Sequence, residues 1–175
     1  MLSRTTLLTA TVLASAAALV GVGSTTAQAA TEVHIYQYVQ AHHSGKDLAV
    51  LNASTAPGQP IVQFTRNTGP NQQWEITSLP SSPAPGMAPD RQIKNRLSGL
   101  CLDVANNSTA DGATVHLWDC IDTVASQKWT ASNGQLVNPA SGKCLDVKDN
   151  NPADGAKLQI WTCTGAANQK WSVPA

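Results

Sequence analysis

After residue 30 the apolar side chains come in short alternating runs, and no stretch repeats them at helical spacing. Leu48-Ala49-Val50, Leu102-Asp103-Val104 and Leu145-Asp146-Val147 each alternate in, out, in, as a strand does when it buries its flanks and exposes its centre. A polar turn follows each of them: Ala56-Pro57-Gly58, Ala110-Asp111-Gly112 and Ala153-Asp154-Gly155. Glycine there suits a positive φ, and Asp111 and Asp154 read as turn formers. Second strands are predicted over 61–64, 114–118 and 157–161, then a loop, then a strand beginning at a Gln-x-Trp. Four short strands in each of three copies make twelve.

The copies keep a common spacing. Asp47, Cys101 and Cys144 each stand eleven residues before Gly58, Gly112 and Gly155, and eight further residues reach Arg66, Cys120 and Cys163. Each copy opens on Ser-Gly, at 44, 98 and 141, and closes on Gln72/Trp74, Gln127/Trp129 or Gln169/Trp171. Such a period marks a repeat architecture, with copies at about 35–78, 91–132 and 134–173. Trp74, Trp129 and Trp171 read as core. The segment 79–89 carries four prolines, which exclude a central strand and mark an extended insertion between the first two copies. One copy could not bury its own apolar face, so residues 30–175 are expected to form one domain.

Residues 1–29 read as a secretory signal: Arg4, an apolar stretch from Leu7 to Val22, and Ala27-Gln28-Ala29 as a small-x-small cleavage site. Thr, Ser and Gly interrupt that stretch and no charge cluster follows, which argues against a membrane anchor. The chain is therefore expected to be secreted. Lys plus Arg equals Asp plus Glu at 11 each, so no basic stripe is available for nucleic acid. Four cysteines in an exported chain should be paired. Of the three possible pairings the repeat selects Cys101–Cys120 and Cys144–Cys163, and no Cys-x-x-Cys supports a zinc site. Copy one has Asp47 and Arg66 at the cysteine positions, where an ion pair would replace the bridge.

Cys-Leu-Asp-Val, the Asp-Gly turn, Leu-Trp-Asp-Cys or Ile-Trp-Thr-Cys, and Gln-Lys-Trp together resemble the ricin-B-type lectin domains, also called family-13 carbohydrate-binding modules. The resemblance spans about residues 35–173. It implies an all-β fold, a β-trefoil of three four-stranded repeats with pseudo-threefold symmetry and a potential sugar pocket in each. An ionised Asp accepts from adjacent sugar hydroxyls, an aromatic ring stacks on the C–H face, and amides fix the hydroxyl pattern.

Carried over residue by residue, the resemblance makes copy three complete. Asp146 is the anchor, Trp161 the platform, Asn168 and Gln169 the amide pair, and Gln159 the supporting polar group. Copy two keeps Asp103, His116, Trp118 and Gln127, but has Ser126 for the Asn and a loop one residue longer. Copy one keeps Phe64, Asn71 and Gln72 but has Ala49 and Val62 for the anchor and its partner, which makes its pocket degenerate. Each assignment has a rival: core packing for Trp118 and Trp161, turn capping for Asp103 and Asp146, and satisfaction of buried backbone for Gln127 and Gln169.

Catalysis finds no support. The anchoring aspartates stand one to a pocket, whereas a glycosidase needs two carboxylates across one sugar. Neither Glu32 nor Glu75 lies in a repeated motif, and His-Glu-x-x-His, Gly-x-Ser-x-Gly and phosphate-loop patterns are absent. The expected protein is a monomeric, cofactor-free lectin for galactosides, xylan or related polysaccharides. The competing class is a protein-binding trefoil, such as a protease inhibitor or toxin-associated subunit, that would use the 79–89 insertion.

Overall fold

The computed structural model describes residues 33–80 and 88–173. The segment expected to be a secretory signal, 1–29, and residues 81–87 of the proline-rich insertion lie outside the described residues. Among the described residues there are thirteen strands: β1 (Tyr36–Gln37), β2 (Gln40–Ala41), β3 (Asp47–Val50), β4 (Ile61–Phe64), β5 (Trp74–Ser78), β6 (Asp90–Asn95), β7 (Cys101–Val104), β8 (Ala113–Trp118), β9 (Trp129–Ser132), β10 (Gln135–Asn138), β11 (Lys143–Val147), β12 (Leu158–Trp161) and β13 (Trp171–Ser172). The count exceeds the expected twelve because the first strand of repeat one is broken between Gln37 and Gln40 into β1 and β2.

The first and last strands of the repeats pair into a barrel wall. β5 pairs with β6, β6 with β9, β9 with β10, and β13 with β2, all antiparallel. The middle strands form three hairpins, β3–β4, β7–β8 and β11–β12. These hairpins also touch one another, through Gln159↔Thr114, Pro60↔His116 and Val62↔Lys157. This is a β-trefoil, with the hairpins capping one end of the barrel.

One core serves all three repeats. Trp74, Trp129 and Trp171 are buried in it, as expected from the repeat, and full burial of a large side chain is worth about 1.5–3 kcal/mol. Each indole N–H donates to the carbonyl of the cassette leucine in its own repeat: Leu48 at 2.9 Å, Leu102 at 3.1 Å and Leu145 at 2.9 Å. The closing Gln-x-Trp is thereby fastened to the opening cassette. Cys101–Cys120 and Cys144–Cys163 are bonded, each across a separation of 19 residues. Closing a loop of that size stabilises the chain by about 3 kcal/mol. In repeat one, Arg66 Nε and Nη2 donate to Asp47 Oδ2 and Oδ1 at 2.6 and 2.8 Å. The two partners of this pair hold the positions that the cysteines hold elsewhere.

One expectation is corrected. The centre of each Leu-x-Val strand is not exposed: Ala49, Asp103 and Asp146 are 1, 6 and 4 % accessible. The outward face of each strand is the floor of a cavity instead of open surface.

Candidate functional site

Each hairpin floor carries a pocket, and a backbone kink shapes all three. Just after the cassette strand the chain turns left-handed at Asn52/Ala53, Asn106/Asn107 and Asp149/Asn150, with φ between 50° and 58°. Asn and Asp tolerate that region better than other side chains. The kink lifts the chain to wall the pocket beside the hairpin. In the sequence the only sign of this turn is the Asn106-Asn107 and Asp149-Asn150 pairs at matching positions, with Asn52-Ala53 in the first copy.

The pocket of repeat three is the roomiest, at about 430 Å³, and is lined by Asp146, Gln159, Trp161, Asn168, the kink and Gly112. Asp146 lies at its base. Gln159 Nε2 donates to Asp146 Oδ1 at 3.0 Å, while Asn168 Nδ2 and Gln169 Nε2 donate to Oδ2 at 2.8 and 3.0 Å. Burial raises the Asp146 pKa above its ordinary 3.8, against the pull of these three amides. Trp161 is 41 % accessible, which suits a platform and not a core residue. All five residues expected of this pocket are brought together.

The pocket of repeat two is smaller, at about 240 Å³. His116 Nε2 lies 3.0 Å from Asp103 Oδ2, and its ring stacks on Trp118 at 5.5 Å between centroids. Trp118 is 42 % accessible. Asp103 Oδ1 is buried and has no hydrogen-bond partner among the described residues. Ile121 and Val124, from the longer loop, add an apolar wall that the sequence reading did not foresee. In repeat one, Ala49 and Val62 line the pocket beside the exposed Phe64, with Asn67 and Asn71 as its amides, so no carboxylate anchors it.

The three repeated glutamines share one structural duty. Gln72, Gln127 and Gln169 are buried, and each accepts from a loop N–H: Asn67, Ile121 and Thr164, at 2.9, 2.8 and 2.8 Å. Each also donates back to a carbonyl, of Thr65, Asp119 or Thr162. Gln169 alone of the three also touches the pocket carboxylate.

Ser126 holds the place in repeat two that Asn168 holds in repeat three. Ser126→Asn should supply Asp103 with the missing amide donor, at a net gain of about 1 kcal/mol. The expected outcome is an unfolding temperature raised by about 2–4 °C, measured by thermal unfolding.

A buried carboxylate under an exposed aromatic ring, repeated on a trefoil frame, defines a lectin-type carbohydrate-binding fold. The ricin-type beta-trefoil lectin domain profile matches residues 35–171, and the chain belongs to that family. The domain is a non-catalytic lectin module. Among solved structures it is similar to the designed threefold-symmetric protein ThreeFoil, with 36 % identity, a TM-score of 0.70, and coverage of 78 % of this chain and 95 % of that one. An exo-beta-1,3-galactanase from Clostridium thermocellum matches at 28 % identity and a TM-score of 0.70, over 80 % of this chain and 30 % of the enzyme. The C-half of an earthworm R-type lectin in complex with GalNAc shares the fold at 20 % identity and a TM-score of 0.59, over 78 % of this chain and 95 % of that one. Among the described residues no helix is long and apolar enough to cross a membrane.

Proposed function

We propose that this is a secreted lectin for galactose- or xylose-type residues of polysaccharides or glycoconjugates, acting mainly through repeat three and secondarily through repeat two. The observation that carries the reading is Asp146, a buried carboxylate held by three amides at the base of an open cavity under an exposed tryptophan. Asp146, Trp161 and Asn168 would contact the sugar, with Gln159 and Gln169 holding the carboxylate. Asp103, His116 and Trp118 would do the same work in repeat two, with Gln127 bracing its loop. A GalNAc-bound lectin and a galactan-cleaving enzyme among the similar structures favour the galactose class. A single pocket of this kind binds a monosaccharide on the order of 0.1–1 mM. A polymer that reaches both pockets gains by avidity.

The test is a glycan array probed with the mature chain, with and without free galactose and xylose. Signal on galactoside or xylan spots that free sugar competes away supports the reading. An array silent on every glycan overturns it in favour of a protein-binding trefoil, whose binding would then depend on residues 79–89.

A further inference from the structure

The three glycine turns do more than reverse the chain, because each reaches into the next repeat. The N–H of Gly58 donates to Leu117 O at 2.7 Å, that of Gly112 to Ile160 O at 2.9 Å, and that of Gly155 to Gln63 O at 2.9 Å. In two of the three seams an aspartate adds a side-chain latch. Asp111 Oδ1 accepts from the Thr162 N–H at 2.6 Å and lies 2.8 Å from Lys143 Nζ. Asp154 holds Thr65 and Lys46 in the same way, at 2.7 and 2.8 Å. The seam from repeat one to repeat two has Pro57 at the latch position; there the Gly58 N–H bond to Leu117 O and the Leu117 N–H bond to Gln59 O remain, with no side-chain latch among the described residues.

One seam also builds a pocket. A Cβ placed on Gly112 would lie 3.7 Å from Trp161 Cζ3 and 3.9 Å from Gln159 Oε1, whereas one on Gly58 or Gly155 would meet nothing within 4 Å. Gly112 lines the cavity of repeat three, and neither of the other two glycines lines a cavity of its neighbour. Thr162, the residue that Asp111 grips, directly follows the Trp161 platform.

We infer that Asp111 of repeat two is a positioning residue for the sugar pocket of repeat three, which it completes by holding Gly112 against the edge of the Trp161 ring. The pocket is a joint product of two repeats. The turn sets how far a stacked ring can slide along the indole, and the latch keeps Trp161 facing Asp146. Lys143 and Thr162 hold the Asp111 carboxyl below its ordinary 3.8, so the latch is ionised throughout the neutral range. The second-repeat pocket, whose neighbouring turn has no aspartate, does not depend on such a device. The inference rests on the reading of the third pocket as a sugar site.

The experiment is an NMR titration of the isotopically labelled mature chain with galactose and with xylose, following the Trp161 and Trp118 indole N–H signals separately. Asp111→Ala should weaken binding at Trp161 about five- to tenfold and leave binding at Trp118 unchanged. Asp111→Asn keeps an acceptor for Thr162 and should fall between Asp111→Ala and wild type. Lys143→Met removes the ion pair and the long bond from Nζ to Thr162 Oγ1 at 3.4 Å, leaves the Asp111–Thr162 bond in place and should cost about twofold, which gives a second test if Asp111→Ala folds poorly. The ratio of the two affinities separates positioning from general stability. Equal losses at both pockets, or no loss at Trp161, overturn the inference. A wild-type chain with no response at Trp161 to either sugar overturns the third-pocket reading and this inference with it.

Discussion

Asp146→Ala should abolish measurable monosaccharide binding at the third pocket while leaving the protein folded. A hydrogen bond to a charged acceptor contributes about 1.5–3 kcal/mol, and the three amides leave the carboxylate about one free lone pair, on Oδ1, for a sugar hydroxyl. Losing that bond, at the upper end, weakens a millimolar site about a hundredfold, beyond detection. The fold tolerates the change because two of the three amides keep other acceptors. Asn168 Nδ2 retains Val147 O at 3.0 Å and Gln169 Nε2 retains Thr162 O at 3.0 Å, so only Gln159 loses its partner. Calorimetric titration together with thermal unfolding checks both halves. A variant that still binds at Trp161 would remove Asp146 from the site.

The same carboxylate predicts release of sugar in acid. Burial raises the folded pKa of Asp146 above 3.8, so between 3.8 and that raised value the folded state takes up a proton that the unfolded state does not. Protonation in this window therefore favours the folded chain even as it removes the charged acceptor. The latches behave oppositely. The ion pair with Lys143 lowers the Asp111 pKa and that with Lys46 lowers the Asp154 pKa, so their stabilisation is complete above 3.8 and fades only as pH falls further. Affinity at the third pocket should begin to fall while the pH is still above 3.8, with the unfolding temperature held. Affinity that persists unchanged to pH 3.8 would contradict the assignment of Asp146 as the anchor.

The features legible in the sequence were those that each repeat settles within itself. The disulfides and the three core tryptophans follow from spacing inside one cassette, whereas the trefoil and the pocket residues of repeat three follow from the resemblance of its motifs to the ricin-B-type lectin domains. What escaped depends on contacts between repeats or on backbone conformation. Asp111 looks like an ordinary turn former because its partner Thr162 lies 51 residues away in another repeat. The burial of Asp103 and Asp146 was missed because strand alternation says which face a residue is on, and not whether that face is roofed by a kinked loop. Ile121 and Val124 became a pocket wall through a one-residue loop extension whose path no local pattern reveals.

Arg66→Met should destabilise the protein by about 3 kcal/mol, at the lower end of the cost of breaking a buried ion pair. The Asp47 side chain is fully buried, whereas that of Arg66 is 45 % accessible and stacks over Tyr38 at 4.2 Å to the ring centroid. Removing the cation leaves a carboxylate that water reaches poorly, though the exposure of Arg66 moderates the loss by solvent screening. Asp47→Leu combined with Arg66→Met should recover most of that stability, because no buried charge is then left alone. A sharper comparison replaces the pair with what the other repeats use. Asp47 faces Phe64 across its hairpin as Cys101 faces Trp118 and Cys144 faces Trp161. Asp47→Cys with Arg66→Cys should therefore form a third disulfide, whose loop closure contributes about 3 kcal/mol in place of the ion pair. Oxidised, that variant should match or exceed wild type in urea unfolding; reduced, it should fall below wild type reduced in parallel, since only the latter keeps a link across repeat one. An Arg66→Met midpoint indistinguishable from wild type would mean that the barrel and its core hold the first hairpin in place unaided.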